Sequence, residues 1–271
     1  MYLSSAEKKR LTNRYGSWAL ITGASSGIGK ELAERIAEAG LNVLIVARRK
    51  ALLDELASTL HSKYHVEVLV VEADLGMSEG IEKVLQYAQT LDVGLLVASA
   101  GFGTSGLFSE SSLTQEQAML QVNCAALLHF THHYSKVFQA RKKGGIILLS
   151  SMVAFQGVPY SAHYAATKAY VQSLAEALNL ELKPFGVDVL AAAPGPVETG
   201  FSEVANMKMS MALTPADVGV PILQALGRKT TVFPGFLTKL LVYSLRTAPR
   251  SLKVRIMQAV MGGMTEHQRK G

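Results

Sequence analysis

Trp18-Ala19-Leu20-Ile21-Thr22-Gly23-Ala24-Ser25-Ser26-Gly27-Ile28-Gly29 reads as a short apolar strand that turns through a glycine-rich loop into a helix. Gly23 permits the sharp turn, Gly27 lets another group approach the backbone, and Gly29 allows the helix to pack tightly on the strand. The first N–H groups of such a helix lack intrahelical partners. Together with the helix dipole they favour an anion such as a pyrophosphate. The spacing is GxxxGxG rather than GxGxxG, so the loop geometry differs while the physics is shared.

Outward from this stretch, short apolar runs alternate with longer helical patterns. Strands are expected over 18–22, 42–46, 66–71, 94–98, 145–150, 187–192 and, briefly, 231–233. Helices are expected over 28–39, 50–61, 78–89, 114–140, 161–182 and 215–226, the fourth opened by a capping box from Thr114 to Gln117. This alternation is the signature of βαβ units and an α/β fold with a doubly wound parallel sheet. Strands so continuously apolar suit a sheet covered on both faces. No linker, repeat or low-complexity tract interrupts the pattern, which predicts a single domain. Its expected parts are a basic segment over 1–15, a catalytic body over 16–235 and a basic amphipathic extension over 236–271.

The second strand ends at Ala47 and runs into Arg48-Arg49-Lys50, with no acid. A site for NAD normally offers Asp or Glu here to the ribose 2′-hydroxyl, whereas guanidiniums suit a 2′-phosphate. The expectation is therefore NADP(H) in preference to NAD(H). Farther on, Tyr164 and Lys168 stand at i and i+4 on one helix, with Ser151 thirteen residues before the tyrosine. A free phenol titrates near ~10, and an ammonium one turn away is expected to draw it toward working pH. A Ser151 hydroxyl can hold a carbonyl oxygen against the phenolic proton.

Of the 271 residues, 49% are hydrophobic and 18% charged, enough for a sizeable core. Net charge is +6, yet residues 228–271 alone carry nine Lys/Arg against the single acid Glu266. The basic character belongs to the tail, which argues against a nucleic-acid-binding body. Cys124 is the only cysteine, so no intrachain disulfide forms, and a reducing, cytoplasmic location is expected. Glu7, Lys8, Lys9 and Arg10 precede any apolar run, unlike a signal peptide. The uncharged run 144–167 contains Gly144, Gly145, Gly157 and Pro159, and reads as strand, loop and helix start rather than a membrane span.

Further matches complete a pattern: Asp74-Leu75 after the third strand, Ala100-Gly101 after the fourth, Asn123, and Pro194-Gly195-Pro196-Val197-Glu198-Thr199. In this order and spacing, over about residues 16–200, the chain resembles the short-chain dehydrogenase/reductase family, in a bacterial-type branch. The resemblance implies a Rossmann-type three-layer sandwich binding NAD(P). Its cofactor contacts would be Gly23, Ser25, Ser26, Gly27, Ile28, Gly29, Arg48, Arg49, Asp74, Leu75, Ala100, Gly101, Tyr164, Lys168, Pro194, Gly195, Val197 and Thr199. Asp74 and Leu75 would border the adenine, and Val197 and Thr199 would hold the carboxamide. Ser151 would orient the carbonyl, Tyr164 would act as acid–base, and Lys168 would bind the nicotinamide ribose. Asn123 would hold a water linking Lys168 to solvent. The usual Asn-Asn-Ala-Gly after the fourth strand is here Ala98-Ser99-Ala100-Gly101, so two bracing amides are missing.

His129, His132 and His133 share one helix, but the stripe Asn123, Ala126, Phe130 and Val137 turns them outward, so no metal is expected. The family often pairs this helix and the Tyr164 helix across a two-fold, implying a homodimer. His163 beside Tyr164 does not share its helical face. Residues 198–213, with Met207, Met209 and Met211, occupy the family's substrate-lid position. Leu252, Ile256, Met257, Val260, Met261 and Met264 form a helical stripe that either packs over the cleft or lies peripherally on a membrane. The resulting expectation is an oxidoreductase moving hydride between NADP(H) and an apolar carbonyl or secondary alcohol. Reduction of 3-oxoacyl thioesters and hydroxysteroid-type oxidoreduction are the variants within that class. A nucleotide sensor without turnover is the rival outside it.

Overall fold

Aliphatic and β-branched runs form seven strands: β1 (Trp18–Thr22), β2 (Asn42–Ala47), β3 (Val68–Glu72), β4 (Val93–Ala98), β5 (Gly144–Leu149), β6 (Val187–Ala192) and β7 (Thr231–Val232). The computed structural model describes residues 2–208, 212–245 and 247–268. All strand pairs are parallel, in the order β3-β2-β1-β4-β5-β6-β7, with Leu20 of β1 between Leu44 of β2 and Leu96 of β4. The order reverses between β1 and β4, so the loops leaving these strands diverge and open a crevice.

The helices are α1 (Ser5–Tyr15), α2 (Gly27–Glu38), α3 (Lys50–Tyr64), α4 (Ser78–Ala88), α5 (Leu113–Leu120), α6 (Leu127–Arg141), α7 (Ala162–Leu182), α8 (Phe201–Val204), α9 (Pro215–Ala225), α10 (Phe236–Leu245) and α11 (Arg250–Met264). On one face of the sheet Leu32 and Ile36 of α2, Leu53 and Leu60 of α3 and Val218 and Ile222 of α9 enter one core. On the other, Ile81 and Val84 of α4, Phe130 and Phe138 of α6 and Val171 of α7 enter a second. Both faces are thereby covered, as the apolar strands predict, except at the edge strand β3, where Leu69 is exposed. No helix among the described residues is long and apolar enough to cross a membrane.

Three local expectations change. The stretch ahead of β1 is helical, and Leu3, Leu11 and Tyr15 join the first core. The helix expected over 114–140 starts at Leu113 after Ser112, so Thr114 lies inside it and caps nothing. A π-helical stretch, Gln121–Ala126, then separates α5 from α6. A capping box does form, but at Thr214 and Asp217, where α9 begins.

Candidate active site

The strands end at a cavity of about 1660 Å³, lined from Gly23, Arg48, Asp74, Ala100, Ser151 and Pro194 after successive strands to α10 and α11. That exceeds the ~300–1,000 Å³ typical of one small-ligand pocket, so there is room for two ligands side by side. One half is walled by backbone and polar groups. The other is walled by Met152, Val153, Phe201, Met207, Leu237 and the methionines of α11.

In the polar half, Gly23 N–H donates to the Val46 carbonyl at 2.8 Å, tying the loop to β2. Ser26 precedes α2 without a side-chain cap, leaving first-turn N–H groups to a ligand. Gly27 has φ +59°, and a Cβ there would sit 2.7 Å from Thr199 Cγ2. A Cβ on Gly29 would lie 2.3 Å from the Gly23 carbonyl oxygen. Both positions therefore need glycine, as the spacing suggested. Ile28 lines the same wall. Arg49 reaches across from the end of β2 and donates to Ser25 Oγ at 2.9 Å and Ser26 Oγ at 2.8 Å. Arg48 lines the cavity beside it. Asp74 Oδ1 accepts from Gly76 N at 2.9 Å, shaping the loop that presents Leu75. Thr22 Oγ1 accepts from both Ser99 N and Ala100 N at 3.1 Å. This hydroxyl, unremarked in the sequence pattern, braces the switch point where Ala98 and Ser99 supply no amide. A loop rich in free N–H groups, a basic end and a Cβ-free floor fit a nicotinamide dinucleotide.

In the apolar half, Ser151 Oγ accepts from Val153 N at 3.4 Å, and Met152 N donates to Pro194 O at 2.9 Å. The serine is thus fixed between the ends of β5 and β6. Tyr164 lies beside Phe201, ring centroids 5.2 Å apart. Lys168 Nζ is 5.8 Å from the Tyr164 ring centroid and donates to Leu149 O at 2.8 Å. Burial pushes the Tyr164 phenol up to about 12, opposed only by the Ser151 hydroxyl. Burial pushes Lys168 down to about 8. Desolvation is the largest effect on both groups, and the Lys168 ammonium, one turn from the phenol, donates to a main-chain carbonyl.

The Asn123 amide is bound on both sides. Its Oδ1 accepts from Phe102 N at 3.1 Å, while Nδ2 donates to Phe102 O at 2.9 Å and Thr167 Oγ1 at 3.1 Å. Buried in the π-helical stretch, it holds the wall after Gly101 rather than facing the cavity. His163 turns away to Glu116, Nδ1 to Oε2 2.7 Å, consistent with its exclusion as a base. His129 and His132 are exposed.

Glu198 N donates to Leu213 O at 2.8 Å, and Val197 bridges Leu213, pinning both ends of the lid. Met207 is buried in it, whereas Met209 and Met211 lie outside the described residues. Met257 and Met261 of α11 pack with Met207, Val158 and Ala165, so these members of the stripe cover the cleft, while Leu252 stays exposed. Lys208 N donates to Met264 O at 3.0 Å, and Gln268 Nε2 donates to Ser105 Oγ at 2.8 Å and Asn206 O at 2.5 Å. Two wall residues escaped the sequence reading. Phe201 carried no pattern, but Thr238, the buried hydroxyl of α10 beside Gly195, stood out as a polar residue among leucines.

A family model described as short chain dehydrogenase matches residues 17–210. The chain is 33% identical over 233 residues to a 7beta-hydroxysteroid dehydrogenase of Collinsella aerofaciens, covering 83% of this chain and 88% of that one. A solved 7beta-hydroxysteroid dehydrogenase superposes with a TM-score of 0.85 at 31% identity, over 91% of this chain and 98% of that one. A short-chain dehydrogenase from Sphingobium yanoikuyae in complex with NADPH gives 0.78 at 29% identity, over 86% and 98%. With the Rossmann-type sheet, the glycine loop and the Ser151, Tyr164 and Lys168 cluster in one cavity, these matches make the chain a member of the short-chain dehydrogenase family, a nicotinamide-dependent oxidoreductase acting on CH–OH groups.

Proposed function

We propose that the protein reduces a bulky apolar ketone with NADPH, and oxidises the corresponding alcohol in reverse. The observation that carries this is the single cavity in which Tyr164 and Ser151 stand between the glycine loop and a methionine-rich wall. Nicotinamide supplies or takes the hydride when bound. Ser151 holds the carbonyl oxygen, and Tyr164, kept protonated at neutral pH by burial, gives it a proton. Lys168 binds the ribose hydroxyls and is the next proton source, and Asn123 acts by positioning the Phe102 wall. Arg48 and Arg49 favour the 2′-phosphate, which makes NADPH rather than NADH the working cofactor. The depth and apolarity of the substrate half suit a polycyclic alcohol or ketone, in line with the similarity to hydroxysteroid dehydrogenases; a long 3-oxoacyl thioester is the second candidate.

In this reading residues 16–235 form the catalytic body with its lid over 198–213, and 236–271 complete the substrate wall. Exposed Leu113, Leu120, Leu128 and Tyr170 on α5 to α7 support a homodimer through that face. A cytoplasmic location accords with the lone, buried Cys124. A panel of cyclic ketones, 3-oxoacyl thioesters and small aldehydes, followed by NADPH absorbance, tests the reading. Turnover confined to small polar aldehydes, or none anywhere, would refute it.

A further inference from the structure

The helix α10, Phe236-Leu-Thr-Lys-Leu-Leu-Val-Tyr-Ser-Leu245, is apolar on nearly every side. Such helices ordinarily lie in a protein interior or a membrane. Here Phe236 is 81% exposed, Tyr243 56% and Leu240 52%, and only Thr238 is buried. Leu252 and Val260 of α11 are exposed as well. Leu237, Leu241 and Val260 both line the cavity and reach solvent, so the apolar surface is continuous with the substrate wall. Lys239, Arg250 and Arg255 are exposed around it. No acid occurs from Arg228 through Thr265.

We propose that α10 and α11 dock on an anionic lipid leaflet with the mouth of the substrate cavity turned toward the acyl chains, so that an apolar substrate enters from the bilayer. An apolar face rimmed by cations and free of acids matches an interfacial helix pair. A second copy is the poorer occupant, because a two-fold contact would set this cationic surface against itself. The docking does not depend on the proposed reaction, although the route of the substrate does.

Full-length protein is sedimented with vesicles of phosphatidylcholine, with and without phosphatidylglycerol, at low and high salt. Sedimentation with the anionic vesicles is expected, falling at least about fivefold at high salt, the weight of one basic contact. The variant Phe236→Glu/Leu240→Glu, whose altered side chains do not line the cavity, is expected to stay in the supernatant. It should bind NADPH and reduce a small water-soluble ketone as the parent does. Its KM for a ketone dissolved in anionic vesicles should rise about tenfold or more, the effect of losing a membrane-bound population. Parent protein left in the supernatant at low salt overturns the proposal, as does equal sedimentation of the variant. A halved particle mass of the variant, with the parent indifferent to vesicles, would also overturn it and assign the surface to a second copy. Failure to reduce any ketone, with vesicle binding intact, would instead sink the reductase reading.

Discussion

Replacing Arg48 and Arg49 with alanine should convert a cofactor preference into near indifference. Arg49 is already held over the glycine loop by hydrogen bonds of 2.9 and 2.8 Å to Ser25 and Ser26, so little ordering remains before it can meet a phosphate. A charge-assisted hydrogen bond contributes about 1.5–3 kcal/mol, and exposure of both arginines places each contact at or below the lower end. Two such contacts give about 2–3 kcal/mol, or roughly a 30- to 150-fold weaker Kd for NADPH. NADH lacks the 2′-phosphate and should lose less than about threefold, through a few tenths of a kcal/mol from the loosened serines. Quenching of Trp18 or enhancement of nicotinamide fluorescence measures both constants on the same protein. Equal affinities in the parent, or parallel losses for the two cofactors, would show that the arginines do not read the phosphate.

Tyr164→Phe should lower turnover by about 10²–10⁴-fold with NADPH affinity intact; near-parental turnover in a steady-state assay would remove the phenol from the chemistry. Lys168→Met should stabilise the cofactor-free protein near neutrality, since a pKa lowered from 10.5 to about 8 means a charge held at a cost in the folded state, about 3 kcal/mol before loss of the Leu149 hydrogen bond. Below pH 8 that cost is fully present; between about 8 and 10.5 the unfolded chain keeps a proton the folded one has released, so parent stability rises and the gap to the variant closes. Urea melts at several pH values should reveal the closing gap, and a constant gap would contradict it. Gly29→Ala should destabilise by about 2 kcal/mol or more and lower Tm by roughly 4–8 °C, because its Cβ meets a backbone oxygen that cannot move aside; calorimetry showing an unchanged Tm would mean the turn yields.

Periodicity and glycine spacing made the sheet, its helices and the nucleotide loop legible, since these depend on residues close in the chain. Tyr164 and Lys168 were legible for the same reason, being one helical turn apart. What escaped depends on burial and on distant partners. No local pattern says that the Lys168 ammonium meets the Leu149 carbonyl, or that burial raises the Tyr164 phenol. The π-helical stretch inside 114–140 turns Asn123 onto Phe102, and a regular 3.6-residue period hides such an inserted turn. In the leading segment charge masks the signal of burial, which Leu11 and Tyr15, one turn apart on α1, carry together with Leu3 just ahead of the helix.

The bonds from Gln268 to Ser105 and Asn206 mean that the substrate wall is fastened by residues synthesised after every strand of the sheet. Domains fold from their N-terminal parts as the ribosome adds about 5–20 residues per second. The nascent protein therefore possesses a dinucleotide cleft before it possesses a place for substrate. Cofactor present during synthesis can act as a folding ligand, drawing the young sheet toward its native form by mass action. A chain stalled or clipped before α11 would keep that affinity while leaving the hydride side open to water, holding cofactor without the enclosure that reduction requires.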